Sequence, residues 1–205
     1  MKNKSIEKYY FEKRNDILQL IPVEVKTILD VGCGSAITYK GKNFNVTGIE
    51  IVPEIAKFAK ENISSVIVGN VEKLPLKNCS FDCIIFGDIL EHLKDPWSLL
   101  IEIKRFLNEN GFVIASIPNL QYYKIVRKIL KDKFHYEEYG ILDIDHLRFF
   151  TLSTIKEMFK NAGFKIIKID RKIKWKIQYK IMNFLFFNRL ENFFTYQYYI
   201  LAQKR

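Results

Sequence analysis

One glycine-containing stretch, residues 27–50, constrains the fold of this chain more than any other segment. It starts with a short apolar run that ends at Asp30, bends around Gly32 and Gly34, and continues into a second apolar run that ends at Glu50. A strand, a glycine turn, a second strand and a terminal carboxylate form half of a nucleotide-binding crevice. The glycines let the backbone approach a ligand closely, and the final carboxylate can accept hydrogen bonds from both ribose hydroxyls.

The spacing of the glycines distinguishes between types of nucleotide. A dinucleotide fingerprint requires a third glycine at position 37, and this chain has Ile37 there. A nicotinamide or flavin site therefore lacks its key element. The remaining pattern, D-V-G-C-G-S at 30–35 followed by G-I-E at 48–50, resembles the S-adenosylmethionine-dependent methyltransferases of the seven-stranded type. The resemblance implies S-adenosyl-L-methionine as the cofactor.

Apolar segments of strand length alternate with helical segments along most of the chain. This alternation predicts an α/β fold with a parallel, doubly wound sheet, whose ligands lie beyond the carboxyl ends of the strands. Five polar residues fall at those ends, namely Asp30, Glu50, Asn70, Asp88 and Asn119. The resemblance implies a Rossmann-like sheet of seven strands, mostly parallel, with helices on both faces and an antiparallel last strand between the fifth and the sixth.

Length and composition favour one domain. With 205 residues, of which 48% are apolar, we expect a single methyltransferase domain over 1–205. A leader helix within 1–22 is predicted over 4–21 and stops at Pro22, and a substrate-side insertion or lid is predicted at 120–150. The chain has no signal-peptide core, no membrane-spanning run and no metal-type cysteine spacing, so we expect a cytoplasmic protein.

The leader segment resembles the helix that closes over the methionine end of the cofactor in this enzyme group. An aromatic residue and an arginine carry that role in the family, and Tyr10 and Arg14 are the matching positions. An arginine suits the cofactor's carboxylate because it can bind one through two hydrogen bonds. A packing tyrosine and a solvated arginine remain the alternative.

The adenine end of the implied site follows the second and third strands. Asn70 stands where the family commonly has an aspartate that accepts from the adenine amino group, and an asparagine can still accept through its carbonyl. Ile51 is expected against one adenine face, unless it only packs at the start of a helix. Ala36, where the family generally has glycine, and a short link over 36–45 are departures. The expected cofactor-binding set is Tyr10, Arg14, Asp30, Gly32, Gly34, Glu50, Ile51, Asn70, Val71 and Asp88.

An alcohol acceptor must lose a proton during methyl transfer, which calls for a base with a pKa near neutrality, most often histidine. His146 is our first candidate, because the resemblance places its segment, like that of His92, around the cavity, and a histidine with a purely structural role is the alternative for both. Neighbouring Asp143 and Asp145 would orient the imidazole of His146 and raise its pKa. His92, which follows the strand end at Asp88, is the second. Arg148 could hold a phosphate or a sugar hydroxyl, or form a salt bridge with one of these aspartates.

We expect no metal ion. Metal-dependent methyl transfer needs several carboxylates that converge on one ion. Asp143 and Asp145 are alternate positions of a loop without a clear third ligand.

The leading functional hypothesis is O-methylation of a small, glycan or lipid-linked acceptor. The blocks G-D-I-L-E-H-L-K-D-P-W at 87–97, S-I-P-N at 116–119 and Y-G-I-L-D-I-D-H-L-R-F-F-T at 139–151 resemble a bacterial subgroup with a ubiquinone-type methyltransferase core. That subgroup is often linked with surface-polysaccharide and glycolipid synthesis, so the resemblance implies polysaccharide biosynthesis as the context.

Two other classes of function stay open. The net charge of +10 and interleaved Lys and Tyr at 122–133 and 171–180 favour RNA or DNA methylation. Against nucleic acid, the chain lacks an N-P-P-Y-like block and the Pro-Cys nucleophile of cytosine C5 chemistry. A non-catalytic adenosyl-binding module is supported only by the departures at Ala36 and Asn70.

The aromatic stretch 172–194 predicts either packing over the sheet, which is favoured, or contact with a membrane surface.

Overall fold

A seven-stranded sheet forms the centre of the protein in the computed structural model, which describes residues 10–73, 80–173, 182–186 and 190–205. The strands are β1 Thr27–Val31, β2 Asn45–Glu50, β3 Ser65–Val68, β4 Phe81–Gly87, β5 Leu107–Pro118, β6 Phe164–Ile173 and β7 Thr195–Lys204. Their order in the sheet is β3-β2-β1-β4-β5-β7-β6. Only β7 runs antiparallel to its neighbours, β5 and β6. The predicted fold class is therefore confirmed, including the position and direction of the last strand.

Short helices connect the strands. They are α1 Asn15–Leu18, α2 Pro53–Ala59, α3 Pro96–Ile103, α4 Tyr123–Ile129, α5 Leu152–Asn161 and α6 Glu191–Phe194, and single 3-10 turns occupy Ile37–Tyr39, Val71–Lys73, Leu90–His92 and Lys104–Phe106. Residues 182–185 form one further helical turn. The link from β1 to β2 contains only the turn Ile37–Tyr39, as its short length predicts.

The core lies on both faces of the sheet. Alternate residues of β4 belong to different clusters, with Ile84 and Phe86 in one and Cys83 and Ile85 in the other. Side chains of a strand point alternately to opposite faces, so both faces of β4 are covered. Residues of α3 and α5 pack in the first cluster and residues of α1 and α2 in the second, which places helices on both faces and leaves the strand ends as the accessible edge.

The leader segment differs from its prediction. Residues 12–14 are not helical and α1 covers only Asn15–Leu18, while the earlier part of the predicted helix, 4–9, lies outside the described residues. The backbone N–H of Arg14 donates to Thr38 Oγ1 at 3.1 Å, and the backbone N–H of Ser35 donates to the Tyr10 carbonyl at 3.0 Å. A continuous helix over 4–21 is therefore wrong, because these backbone groups bind Ser35 and Thr38 in the link after β1 instead of their own helix.

The aromatic stretch 172–194 is described only in part, since 174–181 and 187–189 lie outside the described residues. Within the described part of the chain, no helix is long and apolar enough to cross a bilayer.

Candidate active site

The carboxylate of Glu50 holds the glycine turn against the end of β2. Glu50 is 3% exposed, and its Oε2 accepts from the backbone N–H of Gly34 at 3.0 Å while its Oε1 accepts from the backbone N–H of Val52 at 2.9 Å. A carboxylate has about four acceptor positions, so two backbone donors leave capacity for further hydroxyl groups. The carboxylate is thus fixed in place and can still bind a ligand.

The glycines of the turn adopt conformations that disfavour other residues. Gly32 has φ +71° and Gly34 has φ +54°, both in the left-handed region. A Cβ at Gly32 would lie 2.1 Å from Ile89 Cδ1, and a Cβ at Gly34 would lie 3.1 Å from the Tyr10 carbonyl oxygen. The turn is therefore closely packed against the segment that follows β4 and against the leader.

Asp30 lies beneath this turn. Its side chain is 8% exposed and bonds with the buried Tyr39 hydroxyl. Burial raises the pKa of Asp30 to about 7, although Tyr39 and Arg14 act in the opposite direction. In this arrangement Asp30 supports the turn, and direct contact of Asp30 with the cofactor stays a prediction.

Arg14 connects the leader with the ends of β4 and β5. Its Nη1 donates to Asp88 Oδ2 at 2.8 Å, its Nε to Asp16 Oδ1 at 3.1 Å and its Nη2 to Ser116 Oγ at 3.0 Å. The other carboxylate oxygen of Asp88 accepts from Ser116 Oγ and from Gln197 Nε2. Asp88 itself has φ +58°, a conformation that this network stabilises. Burial alone would lower the pKa of Arg14. The charges of Asp88 and Asp16 raise this pKa by a larger amount, so it lies above its ordinary value.

Sequence reasoning placed Arg14 and Asp88 at the site but did not predict that they form an ion pair. It also missed three residues of the network, Asp16, Ser116 and Gln197. Ser116 lies in the block at 116–119 and gave a weak signal, whereas Gln197 lies within a strand distant in sequence and gave none.

The residues predicted to bind adenine lie at the ends of two adjacent parallel strands. Glu50 pairs in register with Val68 at the ends of β2 and β3, so Ile51 and Asn70 follow neighbouring strand ends. Ile51 is 62% exposed, which contradicts the alternative that it is a packing residue. Asn70 Oδ1 accepts from the backbone N–H of Glu72 at 2.9 Å, in the turn that begins at Val71.

Tyr10 is half-buried beside these groups. Burial, then the charge of Glu50 and then that of Asp145, raise the pKa of its hydroxyl. The leader residue predicted to close the site is therefore near both the Glu50 carboxylate and the loop that carries His146.

His92 and His146 are brought into contact from distant parts of the chain. Their ring centroids are 4.6 Å apart with an interplanar angle of 78°. His146 Nδ1 lies 3.1 Å from the Ile141 carbonyl oxygen, and His92 Nδ1 lies 3.1 Å from the Asp145 carbonyl oxygen. A carbonyl oxygen only accepts, so each Nδ1 carries a hydrogen, and in the neutral form of each ring Nε2 is the accepting nitrogen.

Asp143 does act to raise the pKa of His146, but the predicted net rise and the predicted orientation by a carboxylate are wrong. Burial and then the neighbouring His92 lower the pKa of His146, and together they outweigh the opposite effect of Asp143. Asp143 Oδ1 instead accepts from the backbone N–H of Asp145 at 2.9 Å. A backbone carbonyl, not a carboxylate, orients the imidazole of His146.

Glu91 is the acidic residue that sequence reasoning missed. It is 1% exposed, and among the described residues neither of its carboxylate oxygens has a hydrogen-bond partner. Burial, followed by the charge of Asp88, raises its pKa well above the ordinary value. Its backbone carbonyl accepts from the N–H groups of Leu147 at 2.8 Å and Arg148 at 2.9 Å, which holds the His146 loop over the end of β4. The only sequence signal was an acid inside the apolar run before His92.

The side chains of Arg148 and His135 take no part in this arrangement. Arg148 Nη2 donates to the Lys94 carbonyl and its guanidinium lies 5.8 Å from the centroid of the Trp97 ring. Among the described residues it forms no salt bridge with Asp143 or Asp145, so that alternative is wrong. His135 is exposed in the insertion.

The chain is similar to known methyltransferases in sequence and in fold. The model of a methyltransferase domain family matches residues 3–169. An uncharacterized protein of Methanocaldococcus jannaschii is 31% identical over 186 residues, covering 80% of this chain and 73% of that protein. Demethylmenaquinone methyltransferase of Listeria welshimeri is 27% identical over 188 residues, covering 78% of this chain and 80% of that enzyme. Among solved structures, an S-adenosylmethionine-dependent methyltransferase of Archaeoglobus fulgidus has the same fold, with a TM-score of 0.69 at 17% identity over 98% of this chain and 99% of that one.

Proposed function

This chain belongs to the methyltransferase domain family and is an S-adenosylmethionine-dependent methyltransferase, and we propose that it methylates an oxygen of a small acceptor with an apolar part. The observation that carries the proposal is the contact between His92 and His146, 4.6 Å between ring centroids. These side chains lie beside Glu91 and the end of β4, on the edge of the sheet where Glu50 and the glycine turn also lie. A cofactor site and a polar acceptor site would then share one edge.

The residues at the strand ends fit the cofactor. S-adenosylmethionine supplies, when bound, an activated methyl group on a sulfonium. The fixed and buried Glu50 carboxylate has acceptor capacity left for ribose hydroxyls, and the exposed Ile51 offers an apolar surface for adenine. We propose that Asp30 contributes by supporting the glycine turn. The full set of residues proposed to hold the cofactor is Tyr10, Arg14, Asp30, Gly32, Gly34, Glu50, Ile51, Asn70, Val71 and Asp88.

His146 is proposed to receive the acceptor's proton, with His92 as the second candidate. Burial lowers the pKa of His146, so its imidazole stays neutral near pH 7. The Ile141 carbonyl fixes the hydrogen on Nδ1, which leaves Nε2 to accept a proton from a hydroxyl. A neutral, oriented imidazole is the form that general-base catalysis requires.

Aromatic side chains suggest the class of acceptor. Phe134 and Tyr136 are 42% and 54% exposed in the insertion, and their ring centroids are 5.6 Å apart. Phe149 lies 6.2 Å from Phe134 and 6.3 Å from His146, so an aromatic path leads from the surface to the histidines. Such a path suits a lipid-linked acceptor. The finer proposal of a glycan in polysaccharide biosynthesis rests on the sequence blocks alone.

A second candidate is methylation of a quinone-like ring. Its support is the similarity to the Listeria demethylmenaquinone methyltransferase over 78% of this chain, together with the same aromatic path. Incubation of the protein with S-adenosylmethionine and either prenyl quinols or lipid-linked glycans, followed by mass spectrometry, tests both. If the protein methylates RNA but neither of these two acceptors, the proposal is overturned in favour of a nucleic-acid substrate.

Contact with a membrane through 172–194 is a further part of the proposal. Three consecutive described residues there, Phe184, Leu185 and Phe186, are 73%, 67% and 56% exposed. Exposed apolar residues favour an interfacial role over packing for this short segment. Cosedimentation with anionic liposomes tests it, and a protein that stays in the supernatant would contradict it.

A further inference from the structure

Three potential metal ligands lie close together at the end of β4. Within the described residues, the ligand atoms of Glu91, His92 and His146 all lie within 4.8 Å of one another. Two of these residues are adjacent in the turn Leu90–His92, and the third comes from the insertion loop. The hydrogen bonds from Leu147 and Arg148 to the Glu91 carbonyl hold the loop at this position.

Both histidines are prepared to coordinate through Nε2. In metal sites, a ligand histidine almost always donates its other N–H to a carbonyl or carboxylate, which fixes the tautomer and the ring orientation. The Ile141 carbonyl has this role for His146 and the Asp145 carbonyl has it for His92, each at 3.1 Å. The outer-shell partners of a metal site are therefore already in place.

The buried carboxylate of Glu91 points to the same conclusion. It is 1% exposed and neither of its oxygens has a hydrogen-bond partner among the described residues. A buried polar group without a partner is costly, and buried carboxylates are normally paired or bound to a metal ion. A cation between Glu91 and the two histidines would remove that cost.

We propose that Glu91, His92 and His146 bind one divalent transition-metal ion, and that Zn²⁺ fits this ligand set best. Two imidazoles and one carboxylate, with an open position, form a ligand set of catalytic zinc sites. Mg²⁺ prefers oxygen ligands and is expected to bind more weakly. Ligand atoms around a tetrahedral Zn²⁺ lie roughly 3.4 Å apart, so the most widely separated of these ligand atoms must approach one another by up to about 1.4 Å.

The proposal deepens the proposed function and rests on it for the role of the ion. The open position would take an oxygen of the acceptor, hold it near Asp88 and lower the pKa of a hydroxyl there. In that case the proton of the coordinated hydroxyl would pass to bulk water, and His92 and His146 would position the ion in place of the general-base role proposed above for His146, since their Nε2 lone pairs would be occupied. The expectation that no metal binds rested on Asp143 and Asp145, which are not ligands in this proposal.

Calorimetry of the full chain, stripped with EDTA and titrated with ZnCl₂, tests the proposal. We expect one tightly bound Zn²⁺ per chain and much weaker binding of MgCl₂. Glu91→Gln and His146→Ala should each weaken Zn²⁺ binding by more than the roughly 10- to 100-fold that is typical of outer-shell changes. His135→Ala, which changes an exposed histidine outside the cluster, should leave Zn²⁺ binding unchanged.

Two further measurements keep the result decisive if a variant fails to fold. NMR of the wild-type protein should show Zn²⁺ shifting the imidazole signals of His92 and His146 but not those of His135. Binding of S-adenosylhomocysteine to the same samples separates the two claims. Two results would overturn the metal site alone, provided that the protein still binds S-adenosylhomocysteine. One is that Zn²⁺ does not bind at one ion per chain, and the other is that Glu91→Gln and His146→Ala leave Zn²⁺ binding unaffected. Loss of S-adenosylhomocysteine binding in the wild type would overturn the proposed function.

Discussion

The buried carboxylate of Glu50 accepts a hydrogen bond from the backbone N–H of Gly34 at 3.0 Å, and this bond joins the end of β2 to the glycine turn after β1. One side chain thereby fixes both the turn and the position of its own acceptor atoms. We therefore expect ligand binding and local stability to depend on the same carboxylate.

Replacing Glu50 with Gln should weaken S-adenosylhomocysteine binding by about 10- to 100-fold, because hydrogen bonds to a charged group contribute roughly 1.5–3 kcal/mol. Calorimetry on folded protein measures the change. Glu54→Gln is the matched control, since Glu54 is exposed in α2, and it should bind like the wild type. Equal affinities of Glu50→Gln and Glu54→Gln would contradict the assigned role.

Replacing Gly34 with Ala should destabilise the protein and weaken cofactor binding. Gly34 has φ +54° and a Cβ would lie 3.1 Å from the Tyr10 carbonyl oxygen. Gly41 has φ +71°, but no atom of the described residues lies within 4 Å of a Cβ placed there, so Gly41→Ala carries only the conformational cost of about 1–2 kcal/mol. Chemical denaturation of both variants should give a larger loss for Gly34→Ala. A loss no greater than that of Gly41→Ala would show that the contact with Tyr10 is unimportant.

Asp30 should make the free energy of unfolding fall as the pH rises from about 4 to about 7. Burial raises the pKa of this carboxyl from its ordinary value of 3.8 to about 7 in the folded protein, so in this window the native state holds a proton that the unfolded state has lost. The slope is on the order of 1.4 kcal/mol per pH unit. Asp30→Asn, which keeps an acceptor for Tyr39, should remove this pH dependence. Glu91, whose pKa is also raised, makes the free energy of unfolding fall with pH in both proteins and therefore does not affect the comparison. Parallel stability curves of the two proteins across this window would refute the assignment.

Replacing Arg14 with Lys distinguishes two roles for this arginine. If it binds the amino-acid carboxylate of the cofactor, Arg14→Lys should weaken binding of S-adenosylhomocysteine several-fold but not of 5′-methylthioadenosine, which lacks that carboxylate. If Arg14 only maintains the network with Asp88, both ligands should be affected equally. Arg105→Lys, in an exposed pair with Glu102, serves as the control and should change neither affinity.

The strand order was predictable because alternating apolar segments, together with the family resemblance, specify it. The glycine turn and Glu50 were predictable for a local reason, since the chain itself places them within one short segment. The contact of His92 with His146 could not be predicted, because it depends on how a loop distant in sequence folds back over β4. The lowered pKa of His146 was missed for the same reason, since burial is a property of the tertiary structure. The leader helix was overpredicted because its apolar spacing is helical while Tyr10 and Arg14 bind the turn through their backbone.

The central claim is that the edge formed by the glycine turn and Glu50 binds an adenosyl cofactor and not a dinucleotide. Titration calorimetry of the wild-type protein with S-adenosylhomocysteine, and separately with NAD⁺, tests it most directly. One molecule of S-adenosylhomocysteine bound per chain, with no heat from NAD⁺, is the predicted result. A folded protein that binds no S-adenosylhomocysteine at millimolar ligand would contradict it.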